Sequence, residues 1–175
     1  MGKSISYGAI FGILIAMWEI FAGNFLHQLQ LPFKGEILST FDIFIFSYVL
    51  AKTGKRETIL LITVVALVIR AFISGTFIPG AVIGLGATGT LYFAGSYFSR
   101  FKYYISGLLA GLWAPFFFGY IQLKLLGPEI LQSYKILFSK IGLGTSPSAI
   151  INFTLLTGAI AGLAASLTGK KMAGK

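Results

Sequence analysis

Three ionisable residues stand within long apolar runs of this 175-residue sequence: Glu19, Asp42 and Arg70. Charge in such a setting is costly, and it is held there by a partner, a polar cavity or both. Two carboxylates that face each other could serve as acid and base on a bound molecule, or relay a proton with Arg70 as their counter-charge. The trio could equally be structural, Arg70 neutralising Asp42 or Glu19 and tying segments together; a paired charge can still line a site. Other chemistries lack their residues. There is no cysteine, which removes disulfides, thiolate metal sites and cysteine nucleophiles, and a single histidine, His27, cannot build a His-based metal site. No Gly-x-Ser-x-Gly elbow, Gly-x-x-x-x-Gly-Lys-Ser/Thr phosphate loop or His-Glu-x-x-His pair occurs. Gly84-Leu85-Gly86-Ala87-Thr88-Gly89 fits the dinucleotide-binding glycine spacing, but it lies inside an apolar run and follows no strand, so it reads as helix packing. Without a phosphate loop the chain cannot power transport with ATP by itself.

The elements that must position these residues are membrane helices. Charged residues make up 11% of the chain, against roughly 25% in an ordinary soluble domain. The hydrophobic fraction is 56%, Phe occurs 17 times and the mean hydropathy is +0.86. A soluble fold of this size has too much surface for its volume to hide that much apolar area. Six segments approach the roughly 20 residues that cross a bilayer: Ile5–Gly23, Ile37–Ala51, Thr58–Ile78, Gly80–Phe98, Tyr104–Leu123 and Ala149–Leu167. The third and fourth form one apolar stretch divided only by a Gly- and Pro-containing turn. The first is long, contains Glu19 and lacks a small-residue cleavage site, so it reads as a span and not as a cleaved signal.

Basic residues orient the spans. Alternate loops place Lys3, Lys52, Lys55, Arg56, Arg100, Lys102, Lys170, Lys171 and Lys175 on one side, nine in all, against four on the other, Lys34, Lys124, Lys135 and Lys140. The richer side is expected in the cytoplasm, with both termini. A net charge of +9 distributed through such loops describes topology and not a nucleic-acid surface. On this topology Glu19 lies roughly 6 Å, and Arg70 roughly 12 Å, below the outer ends of their spans. Asp42 is also in the outer half, as are Asn24, His27, Gln28, Ser74, Thr76, Gln122 and Asn152. A polar cavity opening outward is the inference. Between spans five and six, Gly127–Gly144 reads as an outer amphipathic helix: Pro128 suits its first turn and Gly142 its stop. Ile130, Leu131, Tyr134, Leu137, Phe138 and Ile141 share one face, with Gln132, Lys135 and Ser139 opposite.

Small residues recur every four positions at Gly8, Gly12 and Ala16 in span one, and at spacings of four and three at Gly158, Gly162 and Ala165 in span six. Such stripes let helices approach closely, within the chain or against another membrane subunit.

Leu31-Pro32-Phe33-Lys34-Gly35 before span two, and the run Arg70-Ala71-Phe72-Ile73-Ser74-Gly75-Thr76-Phe77-Ile78-Pro79-Gly80 at the turn from span three to span four, carry a resemblance. Together with the six spans, the stripe of span one and the polar outer half, they resemble the substrate-binding (S) components of energy-coupling factor transporters. Within that family the nearest likeness is to the subgroup of Gx transporters and heptaprenyl-synthase component I. The matching motifs cover about a third of the chain and are loose. The resemblance implies capture of a vitamin-like small molecule near the outer face, without catalysis or a cofactor. It further implies delivery through a membrane coupling protein and ABC ATPase subunits. Gly8, Gly12 and Ala16 match the family's docking stripe on its first helix, with Gly replacing Ala at two positions. Glu19, Asn24, Lys34, Asp42, Arg70, Ser74, Thr76, Gln122 and Asn152 are the positions compatible with its ligand pocket.

Two other classes remain open from the residues alone. A self-contained carrier or channel would use Glu19, Asp42 and Arg70 as a relay, although no internal repeat is evident. A membrane enzyme acting on a lipid or prenyl phosphate would need Asp42 and Glu19 to face each other.

Overall fold

The apolar segments fold as helices because a backbone surrounded by apolar side chains must satisfy its own polar groups. The computed structural model describes residues 2–29, 33–73, 79–117 and 132–174. Among them the structure is all-α: α1 (Gly2–Gln28), α2 (Lys34–Thr53), α3 (Glu57–Ile73), α4 (Pro79–Gly95), a 3-10 turn (Ser99–Phe101), α5 (Lys102–Pro115), α6 (Gln132–Lys140) and α7 (Pro147–Ala173). α1 and α7, at 27 residues each, are long and apolar enough to cross a membrane.

Local chemistry sets several boundaries. Ser146 caps α7, its hydroxyl accepting from the Ala149 N–H at 3.2 Å, and Pro147 follows at the first helical position. α2 stops where Gly54 turns left-handed and donates its N–H back to Leu50 O. α6 stops at Gly142, as its sequence suggests. That glycine has φ +72°, and paired bonds from Leu143 N–H to Phe138 O and from Gly142 N–H to Ser139 O close the turn. Some limits differ from the sequence reading. α7 runs six residues past Leu167, and α4 leaves the helix at Gly95, three residues before Phe98. The divider at residues 74–78, the end of the fifth segment beyond residue 117, and Pro128, Ile130 and Leu131 lie outside the described residues.

α2 touches each of α1, α3, α4, α5 and α7, and its neighbours pair as α1 with α3, α4 with α5, and α5 with α7. The core follows: Ile43, Phe46, Val49 and Leu50 of α2 meet Ile15 and Ala16 of α1, Ile59 and Ile62 of α3, and Tyr92 of α4. Small residues set how closely the helices approach. Gly107 and Gly111 of α5 face Gly158 and Gly162 of α7 backbone to backbone, and a methyl at Gly107 would meet Gly162 O at 2.6 Å. Gly89, in the run with dinucleotide-binding spacing, packs onto Thr63, as helix packing requires.

The stripe of α1 has an occupant. A methyl at Gly8 would overlap the Leu61 side chain, one at Gly12 would meet Val65 Cβ at 2.7 Å, and Ala16 is fully buried. Gly8, Gly12 and Ala16 are therefore filled by α3 and do not form an open docking surface, which corrects the expectation drawn from the resemblance. The outward faces are apolar instead. α1 exposes Ile10, Met17, Phe21 and Phe25, α3 exposes Val64, Val68 and Phe72, and α7 exposes Leu156 and Ile160.

A second, smaller core lies at the start of α2 and α7. Phe138 of α6 packs with Ile150, and Phe33, Tyr134, Leu137 and Phe153 surround them. The apolar face expected of α6 is thus turned inward at Tyr134, Leu137 and Phe138, while Ile141, just past the helix end, is exposed.

Candidate functional site

The three charges that the sequence sets within apolar runs meet in one cluster. Arg70 of α3 donates from Nη1 to Glu19 Oε2 of α1, and the Asp42 carboxyl of α2 lies within interaction range of both. All three are buried: Glu19 is 6% exposed, Arg70 8% and Asp42 1%. Their sequence neighbours brace the same junction, the Trp18 and Phe41 rings standing 4.5 Å apart. The ion pair ties α1 to α3, and breaking it would leave a charge stranded in a low-dielectric interior. Asp42 Oδ1 has no hydrogen-bond partner among the described residues.

A separate feature lies nearer the start of α2. Phe33, Glu36, Ile37 and Thr40 of the α2 end, and Phe153, Thr157 and Ala161 of α7, line an open, almost wholly apolar cavity of about 380 Å³. The volume falls within the range of small-molecule sites. Periodicity explains its wall, because Glu36 and Thr40 stand four residues apart, as do Phe153, Thr157 and Ala161, so each set shares one face of its helix. The aromatic core beneath α6 adjoins it. Phe33 holds a left-handed backbone, φ 65°, fixed by the bond that its N–H donates to Tyr134 Oη at 3.0 Å. Its ring meets Tyr134 edge-on at 5.1 Å and lies 6.3 Å from Phe153. Burial pushes the Tyr134 phenol above its ordinary range; the nearby Glu36 adds to this and the Phe33 bond opposes it. Tyr134 is therefore neutral at physiological pH.

Glu36 itself is 7% exposed, and neither carboxylate oxygen has a hydrogen-bond partner among the described residues. The two threonines of the wall spend their hydroxyl protons on their own helices, Thr40 on Glu36 O at 2.6 Å and Thr157 on Phe153 O at 3.0 Å. Their oxygens remain as acceptors. Lys34 is turned toward α1, its Nζ 3.3 Å from His27 Nδ1.

Two other expected site residues, Asn24 and Asn152, do not join either feature. Both are exposed, and Ser74, Thr76 and Gln122 lie outside the described residues. Sequence reasoning passed over Glu36 because it stands in the first turn of α2, where an acidic residue suits the helix dipole and needs no other explanation. The signal available was its four-residue spacing to Thr40. A hub at the far end of the bundle was also missed. Tyr92 Oη lies 2.9 Å from Ser166 Oγ, Ser166 Oγ donates to Tyr103 O at 2.7 Å, and Ser47 Oγ donates to Ser166 O. It joins α2, α4, α5 and α7 through fully buried hydroxyls. Comparison with protein-family models, curated proteins and solved structures finds no match to this chain.

Proposed function

We propose that the chain is a six-span membrane protein that captures a small molecule at its outer face, acting as the S component of an energy-coupling factor importer. α1–α5 and α7 are the spans, both termini are cytoplasmic and α6 lies on the outer surface. Three observations support this: the helix within each of the six apolar sequence segments, the exposed Ile, Leu, Val and Phe of these helices, and the nine-to-four bias of basic residues. On this topology α2 and α7 both run inward, so the cavity, which reaches from the first turn of α2 to the middle of α7, opens in the outer half. That cavity is the observation that carries the reading, because a bundle needing only to span the bilayer has no use for a buried carboxylate beside an unfilled volume. With no nucleotide-binding motif, release into the cell falls to a membrane coupling protein and ABC ATPase subunits. Their docking surface is not the Gly8, Gly12 and Ala16 stripe, which α3 occupies.

The buried Glu19, Asp42 and Arg70 cluster favours one alternative, a self-contained proton-coupled carrier. Asp42→Asn separates the two, abolishing flux in the carrier while leaving ligand capture at the α2–α7 cavity in place.

Native mass spectrometry of the purified protein, with release and identification of what is bound, tests the proposal. A stoichiometric small metabolite is expected. A bound prenyl or lipid phosphate in its place would point to a membrane enzyme and overturn the capture reading.

A further inference from the structure

Two cations are held against one ring where α5 begins and α7 ends. Lys102 Nζ stands 5.2 Å, and Lys170 Nζ 5.0 Å, from the centroid of the Tyr103 ring. The ammonium groups are therefore no farther apart than these two distances together, a span comparable with the roughly 10 Å screening length of moderate salt. Neither has an acidic partner among the described residues, where the ion pairs are Arg56 with Glu57 and Arg70 with Glu19. The first turn of α5 holds no acid and no side chain caps it, so the helix dipole adds to the positive field.

The fold fixes this pairing. Tyr103 is buried, and its carbonyl accepts from Ser166 Oγ, one turn before Lys170. Tyr92 Oη and Ser47 Oγ hold the same serine, at its hydroxyl and its carbonyl. One turn further along α5, Gly107 meets the backbone of α7 at Gly162. The buried hydroxyl hub thus locks the start of α5 against the end of α7 and sets both lysines on one platform. Like charges so placed repel each other, and an anion seated with both relieves the repulsion.

The surroundings of the platform indicate where that anion resides. Tyr97, Phe98, Phe101 and Tyr104 are each about half exposed, and Arg56 stands over the Tyr97 ring at 4.0 Å. Exposed aromatic rings mixed with basic side chains are the pattern of the lipid headgroup layer. That layer supplies phosphate at the level of the platform, with no second protein needed.

We propose that Lys102 and Lys170 form a binding site for the phosphate of an anionic phospholipid at the junction of α5 and α7. The phosphate accepts from both ammonium groups, and Tyr103 is the floor beneath them. This site is separate from the α2–α7 cavity and does not depend on what that cavity captures.

The test uses the full-length protein in phosphatidylcholine nanodiscs into which phosphatidylglycerol is introduced stepwise, with thermal unfolding as the readout. Phosphatidylglycerol is expected to raise the unfolding temperature in a saturable way, and less so as salt is raised. Lys102→Gln and Lys170→Gln should each weaken its binding about fivefold, the share of one lysine at an anionic membrane surface. Lys3→Gln removes an exposed lysine on α1, which is no part of the platform, and should leave the binding unchanged. An equal loss in Lys3→Gln would show attraction to the basic surface as a whole and overturn the site. Equal stabilisation by inorganic phosphate in pure phosphatidylcholine would assign the platform to a free anion and overturn the lipid. Stability indifferent to phosphatidylglycerol would also overturn the proposal and leave the two lysines to an acidic protein partner.

Discussion

Gly162→Ala tests whether close backbone packing between α5 and α7 holds the bundle together. A methyl at Gly162 would overlap the carbonyl oxygen of Gly107 and come within 2.7 Å of Gly111 Cα. Carbon atoms in ordinary contact stand roughly 3.5–4.0 Å apart, so the helices must part by about 1 Å at this point. Both opposing atoms belong to the backbone, and no side chain can rotate aside to relieve the overlap. Overpacking of this kind costs up to about 3 kcal/mol, and the better helix propensity of Ala offsets about 1 kcal/mol. The net loss is about 2 kcal/mol, or roughly thirtyfold in the unfolding equilibrium. The assay is reversible unfolding in mixed dodecylmaltoside and dodecylsulfate micelles. Gly84→Ala serves as the control, because a methyl there meets nothing within 4 Å, and its stability should equal or exceed that of the wild type. Combining Gly107→Ala with Gly162→Ala should cost less than the sum, since helices already parted accommodate the second methyl. A Gly162→Ala variant as stable as Gly84→Ala would refute the argument.

Two further expectations follow from the same reasoning. Arg70→Met should cost about 3–5 kcal/mol in the same assay, because it strands Glu19 and Asp42 in the interior. Adding Glu19→Gln should recover part of that loss, and strict additivity would show that the pair is not coupled. Gly12→Leu should destabilise the isolated chain, because the larger side chain collides with Val65 and the backbone of Ile62. A Gly12→Leu protein of wild-type stability that fails only to assemble with other membrane subunits would restore the stripe as a docking surface.

The helices were legible in the sequence because hydropathy and punctuation act locally. Each of the six apolar segments contains a helix, and Gly142 and the Ser146–Pro147 cap are readable without tertiary knowledge. The meeting of Glu19, Asp42 and Arg70 was legible too, because topology alone sets their depths and a buried charge needs a partner. What the small residues face was not. Gly8, Gly12 and Ala16 present the same pattern whether α3 or another protein covers them, and only the pairing of helices decides. Glu36 was hidden for a related reason. Its burial depends on Phe33 taking a left-handed backbone and on α6 folding its aromatic face over the start of α2 and α7. Asn24 and Asn152 illustrate the converse error, since position along or just past an apolar segment says nothing about which way a side chain points.

The central claim is an outward-opening cavity between α2 and α7, and the absence of native cysteines allows it to be probed directly. The measurement is labelling of Thr157→Cys in intact cells by a membrane-impermeant cationic methanethiosulfonate. Lys171→Cys, at the opposite end of α7, is the control. The account predicts that Thr157→Cys reacts from outside and that Lys171→Cys reacts only after the membrane is opened. Reaction of Thr157→Cys only after permeabilisation, or of Lys171→Cys in intact cells, would contradict it.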